Sequence, residues 1–298
     1  MKKIVGISIA MLSCSLSFSQ GNPQIQNKNG IDIMPVKGEF AIGVNAAPFL
    51  TYAGNLFGLT NSNTSLNTNK FLSNSFGGNT LYGKYMLSND NAVRASFRIA
   101  NSDRVLNYDV FDDSKNSPDS TVIDSRHINS NTINIGAGYE FRRGTTRLRG
   151  IYGGDVMVFR SKSTNSYSYG NAMVSSNQTP TSKYNAGGGF QGGNGNNVAE
   201  RILTNNSGTT LGAGLRAFAG VEYFFAPKMC IGTEFGWTMT VSRTGESSVA
   251  SEYFNPNAVN EDGSIGGVVI NENITSGSRN FNLDTDNFNA AIYLMFYF

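Results

Sequence analysis

From Thr210 to Phe225 the chain alternates without a break. Leu211, Ala213, Leu215, Ala217, Ala219, Val221, Tyr223 and Phe225 share one parity, while Gly212, Gly214, Arg216, Gly220 and Glu222 fall mainly on the other. Period-two alternation puts the two sets on opposite faces of a β-strand. Strands of soluble sheets usually run about five or six residues. An apolar face this long instead matches a tilted strand crossing a bilayer, which takes about 9–11 residues.

Seven more segments read the same way: Phe40 to Tyr52, Thr80 to Leu87, Ala92 to Val105, Thr132 to Arg142, Leu148 to Ser161, Met229 to Ser242 and Phe288 to Phe298. Three joints between them are tight and carry turn chemistry: Ser88-Asn89-Asp90-Asn91, Arg143-Gly144-Thr145-Thr146 and Ala226-Pro227-Lys228. The others, near 53–79, 106–131, 162–209 and 243–287, are long and rich in Asn, Ser, Gly and Asp. Short joints alternating with long ones suit a barrel with periplasmic turns and extracellular loops. A soluble β-sandwich has no reason to sort its joints so. The predicted fold is therefore all-β, a transmembrane antiparallel up-and-down β-barrel of eight strands. Val268-Val269-Ile270 reads as an extracellular hairpin, with a ten-stranded barrel as the alternative. Pro48 and Gly153-Gly154 mark expected bends, and 185–197 is a glycine-rich loop.

The first nineteen residues read as an address. Lys2 and Lys3 precede an apolar run from Ile4 to Leu12 and a small-x-small cleavage site at Ser17-Phe18-Ser19. The run falls short of the roughly 20 residues of a spanning helix. Lipoprotein processing at Cys14 lacks the expected leucine three places upstream. The mature chain is expected to begin at Gln20, with a periplasmic leader over 20–38 and the barrel over 39–298. Charged residues are 15% of the chain, below the roughly 25% of ordinary soluble domains, and 34 glycines help fill the gap. A net charge of +2 gives no electrostatic footprint for nucleic acid. Once Cys14 leaves, Cys230 has no partner for a disulfide or a CxxC motif.

The last strand carries Ala290, Ile292, Leu294, Phe296 and Phe298 on one face. An alternating final strand that ends on an aromatic is similar to the signal by which outer-membrane barrels engage their insertion machinery, here Leu294, Phe296 and Phe298. The stretch from Pro35-Val36-Lys37-Gly38-Glu39 through Gly43-Val44-Asn45-Ala46-Ala47-Pro48-Phe49 to Tyr52, Gly54-Asn55 and Phe57 resembles the opening of small outer-membrane β-barrel proteins of Bacteroidota. The remainder resembles the OmpA/OmpX-like eight-stranded barrels, without a peptidoglycan-binding domain. The resemblance implies a fold and a place in the outer membrane, in contact with its lipid and lipopolysaccharide. It implies no activity, because one fold hosts many roles.

Parity sorts the charges. Lys84, Arg94, Arg98, Glu140, Arg149, Asp155, Arg216, Glu222 and Glu234 all take the inward face. Counted from the short turns, Lys84, Arg94, Glu140, Arg149 and Glu222 lie near the periplasmic end, and the rest lie higher. An eight-stranded barrel is just wide enough to be filled by side chains, and a buried charge without a partner is very costly. A closed, salt-bridged lumen is therefore expected. The chain reads as an integral barrel of structural or interaction type, with an outer-membrane protein of unspecified identity as its partner. The alternative is a small pore for ions or hydrophobic solutes.

An enzyme needs a nucleophile beside a base. His127 is the sole histidine, Ser130 has the opposite parity, and Glu140 sits at the far end of the strand. Asp109, Asp112, Asp113 and Asp119, and Glu261-Asp262-Gly263, do not follow calcium-loop spacing. No catalytic, cofactor or metal residue is assigned.

Overall fold

A computed structural model describes residues 25–45, 81–115, 117, 119–259, 265–285 and 291–298. The expected signal peptide, Pro48, the whole of the first long joint, and Glu261-Asp262-Gly263 lie outside the described residues. Among the described residues the chain is all strand and turn: β1 (Phe40–Asn45), β2 (Leu81–Ser88), β3 (Asn91–Phe111), β4 (Thr121–Arg143), β5 (Leu148–Ser168), β6 (Thr181–Ser182), β7 (Asn196–Asn197), β8 (Glu200–Ala226), β9 (Met229–Thr244), β10 (Ser247–Val259), β11 (Ile265–Thr275), β12 (Ser278–Thr285) and β13 (Ala291–Tyr297).

One antiparallel sheet runs β11-β10-β8-β5-β4-β3-β2-β1-β13-β9-β12, and β8 also pairs with β9. That second pairing partly closes a ring through β1, β2, β3, β4, β5, β8, β9 and β13. Two strand lines continue across short interruptions. Thr244 of β9 faces Thr210 and Ser248 of β10 faces Asn206, so both hold the same offset against β8. Thr275 of β11 faces Ser247 and Ser278 of β12 faces Thr244, again one offset.

The alternation appears directly in burial. On β3, Ala92 and Arg94 are buried inward while Val93, Phe97 and Ile99 are exposed outward. On β13, Tyr293, Met295 and Tyr297 are buried and Phe298 beyond it is exposed. Inward side chains fill the ring, where Tyr82, Met86, Ile151, Phe218, Phe224 and Cys230 belong to one buried cluster. The leader closes its short-turn end. Ile33 and Met34 are buried in that cluster, and Lys228 donates from its backbone to the Ile33 carbonyl at 2.9 Å and from Nζ to the Met34 carbonyl at 3.0 Å.

Several strands run past the segments that apolar alternation marks. β3, β4, β5 and β8 hold 21, 23, 21 and 27 residues. Most of the stretch read as a long joint at 106–131 is thus ladder, as are the two ends of 162–209, leaving 112–120 and 169–199, with the short β6 and β7, between the long strands. The reason is local chemistry: above the apolar zone both faces turn polar, as in Asn129-Ser130-Asn131 facing Asp103-Ser102-Asn101. The hydrophobic period ends there while backbone pairing continues. Val268-Val269-Ile270 lies in β11, hairpinned with β10 against the far end of β8.

Residues 169–199 are tied onto this extension. The buried Asp124 carboxylate accepts from Gly170 N at 3.0 Å and Lys183 N at 2.7 Å. Burial pushes its carboxyl above the ordinary range, against the pull of those donors and of Arg201. Asn171 Nδ2 donates to the carbonyls of Phe111 at 2.7 Å and Thr181 at 2.8 Å. Tyr167, Tyr184 and Ile202 form a second small core beneath. Asp124→Ala strands the buried Lys183 N–H, at about 1–3 kcal/mol, and releases the more exposed Gly170 N–H to solvent. Limited proteolysis should therefore cut 169–199 faster in that variant, while the unfolding temperature of the ring stays unchanged.

Candidate functional site

The densest chemistry lies inside the ring. Lys84, Arg94, Gly138, Asp155 and Arg216 stand in one ladder row across β2, β3, β4, β5 and β8. Glycine at 138 is needed because a Cβ there would overlap the Asp155 carboxylate. With that space free, Asp155 reaches Arg94 Nε at 3.1 Å and Arg216 at 3.4 Å. Glu234 completes the upper layer. It binds both terminal nitrogens of Arg94 at 2.9 Å and Arg216 Nη1 at 2.8 Å. Two parallel bonds to one guanidinium fix orientation as well as charge. The Phe218 ring lies 4.1 Å from the Arg94 guanidinium carbon.

The lower layer centres on two carboxylates without solvent exposure, Glu140 and Glu222. Lys84 Nζ bridges them at 2.7 and 2.6 Å. Arg142 bridges them again, at 3.3 Å to Glu140 and 2.5 Å to Glu222. Tyr293 donates its hydroxyl to Glu222 at 2.9 Å, and Tyr297 accepts from Arg142 at 2.7 Å while donating to Glu222 at 3.4 Å. Gly232 makes room for Tyr293, whose ring a Cβ would overlap. Arg94 joins the layers through a longer contact to Glu140, 3.5 Å. Four cations thus meet four carboxylates, and a balanced, hydrogen-bonded set is the condition under which buried charge is tolerated.

Seven of the nine residues that parity places inside make this network: Lys84, Arg94, Glu140, Asp155, Arg216, Glu222 and Glu234. Arg149 stands opposite Glu222 in the ladder yet turns to the rim. It holds Asp90 at 2.8 Å and the Asn89 carbonyl at 3.1 Å in the β2–β3 turn, and approaches the Met34 sulfur. Arg98 lies higher, opposite Asn134. It makes no ion pair among the described residues, and its Nε is buried without a partner there. Arg142 is the member that the charge count by parity passed over. It shares the parity of Glu140, two residues before it on β4.

Outside the ring, His127 and Asp103 form an exposed pair on the outer face. Two acidic residues of 112–120 hold hydrogen-bonded positions. Asp112 accepts from Ser114 and Ser120, which hold its carboxyl below the ordinary range, and Asp113 accepts from Asn177 and the Thr181 amide. Among the described residues no three His, Cys, Asp or Glu side chains are placed to hold a metal ion. Comparison with protein-family models, with curated proteins and with solved structures finds no match.

Removing one member of a buried pair leaves an uncompensated charge and typically costs about 3–5 kcal/mol. Glu222→Ala and Glu140→Ala should each lower the thermal unfolding midpoint sharply. Arg149→Ala should cost far less, since its partner Asp90 is 37% exposed at the side chain. Equal losses in a melting series of the three would show that the layers do not carry the interior.

Proposed function

We propose that the chain is an integral outer-membrane β-barrel of structural or interaction type, whose lumen is closed by its own ion pairs. The observation that carries this reading is the contrast between its two faces. Charge is concentrated inside the ring, while the outside offers Val93, Phe97 and Ile99 on β3, Leu148, Tyr152 and Val156 on β5, and Trp237, Met239 and Val241 on β9. In water a patch of this extent is an aggregation hazard; against acyl chains it is the ordinary lipid face of a barrel. Aromatic pairs near the short turns, Phe40 with Tyr85 and Phe141 with Tyr152, suit an interfacial girdle. Counting β9–β10 as one strand and β11–β12–β13 as another gives eight strands in all.

Filling argues for the closed lumen over the pore. Both layers of the network and the leader's Ile33 and Met34 occupy the bore, leaving Glu140 and Glu222 dry. The extension formed by β3, β4, β5, β8, β10 and β11, with 169–199 fastened to it, is the part offered to partners outside the cell.

On SDS gels the unboiled protein should run ahead of the boiled one, and it should fractionate with the outer membrane; identical mobility and periplasmic recovery would end the barrel reading. In planar bilayers the pure refolded chain should give no steady large conductance, whereas ion-selective steps would favour the pore. With buried Cys230 replaced, a cysteine at exposed Ser176 should react with an impermeant maleimide on intact cells. One at Asn89, in a short turn, should not.

A further inference from the structure

The outer wall is not uniform around the ring. Where apolar residues give way to polar ones, Arg160 of β5, Leu211 of β8, Arg243 of β9 and Arg279 of β12 stand side by side in one ladder row. All three arginines point outward and are exposed. Arg160 donates to Asn131 at 3.1 Å, and none of the three forms an ion pair among the described residues. Lys162 follows two residues above Arg160 on the same face. Arg243 and Arg279 are direct cross-strand partners. Like charges so placed are destabilising by themselves, and an anion between them reverses the sign. Beyond Arg160 the same row continues through Ile133 of β4 and Ile99 of β3, with Asp103 and His127 above them, so the cationic stretch of the row ends at β5.

Directly beneath the row is a groove in the same wall, about 370 Å³ in volume. Val156, Leu215, Trp237, Met239 and Leu283 line it, and small residues at Gly154 and Ala217 leave it hollow. Val156, Met239 and Leu283 lie four positions below Arg160, Arg243 and Arg279 on their respective strands, about 13 Å at the rise of a β-strand.

We propose that this wall binds a phosphorylated, multiply acylated glycolipid of the outer leaflet, of the lipid A class. The guanidinium row takes the headgroup phosphates, and the groove takes an acyl chain. The cations span three inter-strand steps, about 14 Å at the usual strand spacing. A single phosphodiester reaches the Arg243 and Arg279 pair but leaves Arg160 unserved; a broad phosphorylated sugar headgroup serves all three. Guanidinium suits the task because its fork binds phosphate oxygens two at a time. The inference rests on the membrane-barrel reading above, since it puts the wall in contact with lipid.

Trp237 is the sole tryptophan of the chain and lines the groove, so its fluorescence reports the occupant. The full mature chain would be refolded into phosphatidylcholine vesicles whose acyl chains are brominated, and purified lipid A added at increasing mole fraction. Bromine should first quench Trp237, and lipid A should then restore its emission by displacing brominated chains. In R160Q/R243Q/R279Q the mole fraction for half restoration should rise about tenfold or more. R243Q alone should shift it in the same direction, which keeps the test usable if the triple variant refolds poorly. Absence of any quenching would overturn the membrane reading itself. Quenching that lipid A does not relieve, or relieves equally in wild type and variant, would overturn the site while leaving that reading intact. Phosphatidylglycerol relieving the quench as well as lipid A does would overturn the glycolipid assignment.

Discussion

Glu140 and Glu222 have no solvent around them, and much of the ring is arranged to make that tolerable. Their charge is met by Lys84 and Arg142 from two other directions, and Tyr293 and Tyr297 hold the remaining geometry. A narrow closed sheet has an interior that only side chains can fill. Filling it with paired charge keeps the inner face polar and the outer face free to be apolar. The glycines at 138 and 232 belong to the same arrangement, because each yields the volume that a neighbouring carboxylate or phenol ring occupies.

The two ends of the ring are finished by different means. At the short-turn end the leader folds under, presenting Ile33 and Met34 to the core and engaging Lys228 and Arg149. At the other end the strands do not stop with the apolar zone. They continue as a polar extension held by backbone pairing, with Asp124, Asn171 and Arg201 fastening the 169–199 segment across it. A ladder can outlast its hydrophobic pattern because its bonds are made by main-chain groups, which every residue but proline supplies in full.

That separation explains where sequence reading reached and where it stopped. Parity alone placed Lys84, Arg94, Glu140, Asp155, Arg216, Glu222 and Glu234 on one face, since a side chain's face depends only on local backbone geometry. It could not say that Arg149 would leave Glu222 for Asp90, because the choice depends on where the β2–β3 turn lies in space. It passed over Arg142, whose neighbours on the lower layer come from β2, β8 and β13. The long joints near 106–131 and 162–209 were read from composition, and composition cannot distinguish a polar loop from a polar strand.

The sequence by itself determined the alternation, the short turns and the pool of charges available to the interior, all of which are consequences of residues near one another in the chain. Register was decided only by the tertiary structure. Closing the sheet through β8–β9 and β1–β13 sets which rows align. Those alignments bring Arg94 to Glu234 across 140 residues, and they line up Arg160, Arg243 and Arg279 on the outer wall. A row of a closed sheet belongs to no single strand, so no local pattern encodes it.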